Sequence, residues 1–341
     1  MRFNECYETA SGSSIYQIPI EAFPGLWTYA YLVFNGNYIV LIDTGSGIGE
    51  AGQQLLDGIV SAGRSSLGSS FSVEDLTHVL ITHGHIDHFG GLKEIRARTN
   101  ALIGIHELDR RNITNFLERR TINLHALRDY LTEAGVNGEK RESLLDFYRY
   151  TLQLFDSAEV DFGYEEIELR LGPFQFLHVP GHSGGHVVIR LDDILFCGDH
   201  VLADITPHQA PEQLSSWCGL NHYLRSLDLL KAWAGDSQLA LCGHKQVITD
   251  LGARISEIKH MHMGRLEEVL KFYRSANTID ALSDSLFGEM HVFNGLLALE
   301  EAGAHVEYLY QRGKLRIENY DQLAKSNGPI AHHYQVWILS Q

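Results

Sequence analysis

The stretch Thr82-His83-Gly84-His85-Ile86-Asp87-His88 places three imidazoles and a carboxylate within six residues. A neutral imidazole offers a lone pair near neutral pH, which makes histidine the commonest protein ligand for transition metals. A carboxylate among imidazoles adds charge and a harder donor, a mixture suited to Zn²⁺, Fe or Mn²⁺. Solvated loop histidines are the competing reading in a chain with 19 of them. Three later segments speak against it: Pro180-Gly181-His182-Ser183-Gly184-Gly185-His186, Cys197-Gly198-Asp199-His200 and Cys242-Gly243-His244. All four clusters follow apolar runs, at residues 78–81, 174–179, 194–197 and 239–242. Such runs read as buried strands, and ligands in α/β folds collect at the carboxyl ends of strands.

Taken in order, HxHxDH, PGHxxGH, FxGD and GH resemble the metallo-β-lactamase-fold hydrolase superfamily over roughly residues 15–250. The resemblance implies an α/β fold, the four-layer αββα sandwich, and two divalent metal ions. His83, His85 and His182 would hold the first metal, and Asp87, His88 and His244 the second, with Asp199 as the bridge. Zn²⁺ is the default, with Fe and Mn²⁺ competing. Asp43, at the end of an early strand, would hydrogen-bond behind the ligands and fix imidazole orientation. His186 reads as a residue behind the ligands or a strand cap, not as a ligand, and His200 has no assigned role.

Two such cations share a water and lower its pKa, so that hydroxide becomes the nucleophile at neutral pH. Asp87 is a ligand that would also orient this hydroxide. His208 is a candidate proton donor or oxyanion stabiliser, and Tyr223 is a weaker candidate for the same work. Lys245, directly after His244, is the nearest cation for a substrate carboxylate.

Composition narrows the chemistry. The formal net charge is −16, whereas nucleic-acid binders present basic patches. The pairs Arg119-Arg120 and Lys140-Arg141 are flanked by Glu118, Glu139 and Glu142 and read as solvated helix faces. A small acyl substrate is therefore expected: a carboxylic ester, thioester or lactone. The alternatives are a metal-dependent endoribonuclease or phosphodiesterase, and a non-catalytic member of the fold. The intact set of ligands argues against the last. No apolar run approaches the ~20 residues of a membrane span. The four cysteines form no CxxC pair, and no leader is visible, so the expected compartment is cytoplasmic.

The elements that must carry these loops follow from periodicity. Strands are expected at residues 15–18 (stopped by Pro19), 30–34, 38–42 and 102–105, with Asn35-Gly36-Asn37 as a hairpin turn. Helices are expected at 49–63 and 92–99, and residues 64–72 read as a surface loop. Residues 107–160 read as a helical insertion, a lid whose aromatic residues mostly pack onto the core. A helix at 222–233 comes next, followed by helices at 252–274, 278–288, 294–302 and 304–311 and a strand at 314–317. The expected division is a catalytic domain at 1–251 and a second domain at 252–341. The latter resembles the winged-helix domain of the superfamily branch that includes β-lactamase-like endoribonucleases and fungal polyketide thioesterases. Glu300, Glu301 and Glu307 on the segment expected to serve as its recognition helix disfavour DNA binding, leaving a structural, dimer-forming or cleft-wall role.

Overall fold

The computed structural model describes residues 5–290 and 292–337. The chain divides into two compact units. The first comprises residues up to Leu117, Phe155–Pro207 and Ser226–Ile255. The second comprises Glu118–Leu154, His208–Arg225 and the described residues between Ser256 and Trp337.

Two sheets form the first unit. The larger has seven strands in chain order: β1 (Cys6–Glu8), β2 (Ser14–Phe23), β3 (Leu26–Asn35), β4 (Tyr38–Ile42), β5 (His78–Leu80), β6 (Leu102–Ile105) and β7 (Phe162–Gly163). From β4 onward the pairing is parallel. The smaller runs in the order β12, β11, β10, β9, β8, with β8 at Arg170–Leu171, β9 at Phe174–His178, β10 at Val187–Leu191, β11 at Ile194–Gly198 and β12 at Leu239–Cys242.

Period-two alternation decides what each face meets. Ala30, Leu32 and Leu41 join Leu55, Ile59, Leu92 and Ile95 from helices α1 (Ala51–Leu67) and α3 (Leu92–Arg96); the one-turn α2 (Ile86–Phe89) lies between these helices in the chain. Their neighbours Tyr31, Val33, Val40 and Ile42 turn the other way and pack on Phe174, Phe176, Val187, Ile189 and Phe196 of the second sheet. Beyond that sheet, the Arg190 guanidinium sits 4.2 Å from the Trp233 ring centroid on α7 (Leu220–Ala234) and donates to the Trp233 carbonyl. The result is the expected helix, sheet, sheet, helix layering. The short α4 (Glu107–Thr114) follows β6.

Several bounds differ from expectation for physical reasons. Strand β2 continues through Pro19, because β1 pairs only with residues 14–16 and leaves the later part of β2 an edge that needs no N–H there. Helix α1 runs to Leu67 because Gly63 allows Phe71 to lie against its backbone, where a Cβ would fall 1.9 Å from the ring.

The second unit holds α5 (Phe116–Glu133, from Glu118), α6 (Gly138–Thr151), α8 (Leu251–Phe272, from Ser256), α9 (Ile279–Phe287), α10 (Val292–Gln311), β13 (Leu315–Ile317), α11 (Tyr320–Leu323) and β14 (Tyr334–Val336), with β13 and β14 antiparallel. The two compact units divide the chain discontinuously, where the sequence predicts a domain boundary at 251. Residues 118–154 join the C-terminal helices because they are bonded to them: Lys140 pairs with Asp280 at 2.6 Å, and the Asp280 N–H donates to the Ala134 carbonyl at 2.9 Å. The helices expected at 294–302 and 304–311 are one, α10. Gly303 continues it because Tyr130 of α5 crosses there and donates its hydroxyl to the Leu299 carbonyl. No helix among the described residues is long and apolar enough to cross a membrane.

A Cβ at Gly303 would lie 1.9 Å from the Tyr130 hydroxyl. Gly303→Ala should thus cost about 1–3 kcal/mol through overpacking. In urea unfolding, the Gly303→Ala/Tyr130→Phe double variant should lose less than the single one. An unchanged midpoint for Gly303→Ala would show that α5 and α10 do not meet this closely.

Candidate metal centre

Five loops at strand ends converge within the first unit. Asp43 follows β4, the Thr82–His88 segment follows β5, His182 follows β9, Asp199 follows β11 and His244 follows β12. Three groups of side chains bring potential ligand atoms within 4.8 Å of one another: His83, His85 and His182; His83, His88 and Asp199; Asp87, His88 and His244. All seven residues singled out as ligands in the sequence fall in these groups.

Asp43 organises two of them from behind. Its backbone is left-handed, with φ of 58°, which turns the carboxylate back toward β5. The Thr82 N–H donates to Asp43 Oδ1 at 2.8 Å, and the Thr82 hydroxyl donates to Oδ2 at 2.8 Å. Having given its proton to Asp43, that hydroxyl accepts from His83 Nδ1 at 3.0 Å. His88 Nδ1 donates to Asp43 Oδ2 at 2.8 Å, and His244 Nδ1 donates to the Trp27 carbonyl at 2.6 Å. Three imidazoles thus spend Nδ1 on the scaffold and turn Nε2 inward, the usual arrangement behind a metal ligand. His83 Nε2 is fully buried and has no hydrogen-bond partner among the described residues.

The carboxylates face these nitrogens. Asp199 Oδ2 lies 3.2 Å from His244 Nε2 and 3.8 Å from His182 Nε2, while its Oδ1 lies 3.5 Å from His88 Nε2. Asp87 Oδ2 is 3.2 Å from His244 Nε2 and 3.9 Å from His88 Nε2. Asp199 therefore spans both sets. This approach requires glycine at 243, where a Cβ would come 2.3 Å from Asp199 Oδ1.

Charge divides the pocket. Burial holds His83 and His85 well below the ordinary imidazole range, and the neighbouring imidazoles add to this, so both keep their lone pairs. At His244, burial pulls downward but Asp199 and Asp87 prevail and raise it to about 10. Burial likewise opposes ionisation of Asp87, yet His88 and His244 bring its carboxyl down to about 2. The carboxylates thus demand positive charge at this point. Divalent cations with affinity for nitrogen and oxygen donors fit this donor set.

His186 is fully buried, stacks on His83 with centroids 4.6 Å apart, and accepts the Asp199 N–H at Nε2. It lies in none of the candidate groups. His200, also fully buried, faces His186 at 5.7 Å and belongs to no group either. Cys197 and Cys242 are buried thiols. Lys245 is exposed.

His208 and Tyr223 belong to the second unit. His208 Nε2 is 3.3 Å from Glu300 Oε2, and the Tyr223 ring is completely buried with its edge toward His262. A fourth candidate group, His262, Glu301 and His305, lies in the same unit. There Arg265 pairs with Glu301 at 2.6 Å, and His262 Nδ1 lies 3.1 Å from His305 Nε2, a hydrogen-bonded network with its own cation. Aromatic residues of the expected lid mostly serve packing: Phe116 meets Phe89 and Phe155, and Phe147 meets Phe293.

Sequence reasoning missed Thr82 and the Trp27 carbonyl. Thr82 carried a weak signal, a hydroxyl between the strand and the first histidine; a backbone carbonyl carries none. Asp43→Asn should weaken metal binding about 10–100-fold, because three donors reach two carboxylate oxygens and an amide replaces one of those oxygens with an NH2 that cannot accept. Zn²⁺ titration against a chromophoric chelator measures this. Unchanged affinity would remove Asp43 from the ligand support.

Comparison with known proteins agrees in outline. The family model for the metallo-beta-lactamase superfamily matches residues 25–244. A hydroxyacylglutathione hydrolase from Shewanella baltica (strain OS195) is 29% identical over 44% of this chain and 46% of its own. An atrochrysone carboxyl ACP thioesterase from Cryptosporiopsis sp. (strain 8999) is 26% identical over 72% of this chain and 57% of its own. The chain thus spans about half the length of these curated relatives. Among solved structures, a metallo-beta-lactamase family protein from Thermus thermophilus superimposes with a TM-score of 0.72 at 23% identity, over 95% of this chain and 98% of that one. A beta-lactamase domain protein from Burkholderia ambifaria gives 0.72 at 20% identity, over 98% and 94%.

Proposed function

This chain belongs to the metallo-beta-lactamase superfamily, and we propose that within it the protein is a dinuclear metal-dependent hydrolase of a small acyl substrate, a thioester, carboxylic ester or lactone. The observation that carries this reading is the double set of inward-facing nitrogens joined by one carboxylate, Asp199. His83, His85 and His182 would hold one metal and Asp87, His88 and His244 the other, with Asp199 shared and Zn²⁺ the preferred ion. Bound there, the metals would supply Lewis acidity and a water whose pKa is drawn toward neutrality.

The chain's own residues do the rest. Asp87 offers a carboxylate oxygen that can accept a proton from the attacking water and orient it. Asp43 and Thr82 hold His88 and His83 in one tautomer, so that no reorganisation is needed during turnover. The names of the two curated relatives, a hydroxyacylglutathione hydrolase and an ACP thioesterase, support thioester cleavage as the first reaction to test. The net charge of −16 disfavours a polyphosphate substrate.

The test is a panel of acyl thioesters, lactones, aryl esters, a bis-aryl phosphodiester and RNA, run with the Zn²⁺- and Mn²⁺-loaded protein. Turnover of carbonyl substrates that falls at least about a hundredfold in His83→Ala is expected, since one lost electrostatic stabiliser costs about that much. Turnover confined to the phosphodiester or RNA would replace the acyl reading with a nuclease.

A further inference from the structure

Asp109, in the first turn of α4, is bonded to both loops that carry the first ligand set. Its Oδ2 accepts the Gly84 N–H at 2.8 Å, between His83 and His85. The same oxygen accepts the Ser183 hydroxyl at 2.7 Å, directly after His182. Asn112, one turn on, donates its Nδ2 to Asp109 Oδ1 at 3.3 Å. Asp109 is 2% exposed, so these donors are shielded from water.

The loops are shaped to receive it. A Cβ at Gly84 would lie 2.8 Å from Asn112 Nδ2 and 3.1 Å from Asp109 Cγ. A Cβ at Gly185 would lie 2.7 Å from the Asp109 nitrogen and 2.8 Å from its Cγ. Each loop therefore places a glycine where its backbone comes closest to α4. Helix α4 is itself fixed at its start, where His106 Nδ1 accepts the Leu108 N–H and His106 Nε2 lies 2.9 Å from Glu165 Oε1.

We infer that Asp109 is a positioning residue, a carboxylate clamp that sets His182 against His83 and His85. Loops from β5 and β9 lie in different sheets, and a single buried carboxylate gives both the same reference point. Asp43 orients the His88 ring directly and the His83 ring through Thr82, whereas Asp109 fixes the backbone of the two loops. The inference concerns the loops themselves; only its consequence for metal binding rests on the hydrolase reading.

Amide hydrogen exchange on the metal-free protein tests the clamp without reference to activity. Asp109→Asn should speed exchange in residues 83–85 and 182–186 together by about tenfold or more, the loss of a charge-assisted hydrogen bond. The amides of β3 and β10 should stay unchanged. Ser183→Ala, a smaller change that keeps the fold, should speed only the 182–186 loop. In Zn²⁺ titration against a chelator, Asp109→Asn should bind about 10–100-fold more weakly. Exchange unchanged in either loop, or raised equally throughout both sheets, would overturn the clamp. Wild-type protein that takes up no Zn²⁺ would instead sink the hydrolase reading, while the exchange data would still decide the role of Asp109.

Discussion

Three carboxylates, Asp43, Asp87 and Asp199, lie buried or half-buried in one pocket of the first unit, and burying such charge costs several kcal/mol per ion unless it is answered. Each is answered differently. Asp43 is satisfied by Thr82 and His88 and becomes part of the scaffold. Asp87 and Asp199 face imidazole nitrogens at 3.2–3.9 Å, which raises the proton affinity of His244 and lowers that of the acids. This concentration of carboxylates separates the pocket from an ordinary histidine cluster. It also explains why the surrounding imidazoles are so firmly held from behind.

The frame that permits this arrangement is the face-to-face packing of two sheets. Strands β4, β5 and β6 run parallel, as do β11 and β12, so their carboxyl ends release loops at the same edge. Apolar alternation in β3 and β4 fixes which residues enter the core between the sheets, and thereby the register of the loops that follow. Glycines complete the fit where loops approach too closely for a side chain, as at Gly243 beside Asp199.

Much of this was legible in the sequence, because metal-ligand chemistry demands particular residue types at short spacing. HxHxDH and the strand ends before His182, Asp199 and His244 required no knowledge of long-range contacts, and neither did strand β6 at residues 102–105. What escaped notice depends on distant proximity. Thr82 looks like any strand-end threonine until Asp43 is placed beside it, and Asp109 looks like a helix N-terminal acid until two loops close around it. Residues 118–154 read as a lid because their bonds to α9 and α10 leave no trace in local periodicity. Gly303 read as a helix end for the opposite reason: its meaning lies in Tyr130, far away in the chain.

The measurement that bears most directly on the account is the metal content of the purified protein by inductively coupled plasma mass spectrometry. Two donor sets sharing one carboxylate predict about two transition-metal ions per chain, the stoichiometry of a paired-metal site. Protein that is isolated free of metal, and that takes up neither Zn²⁺ nor Mn²⁺ on dialysis, would contradict it.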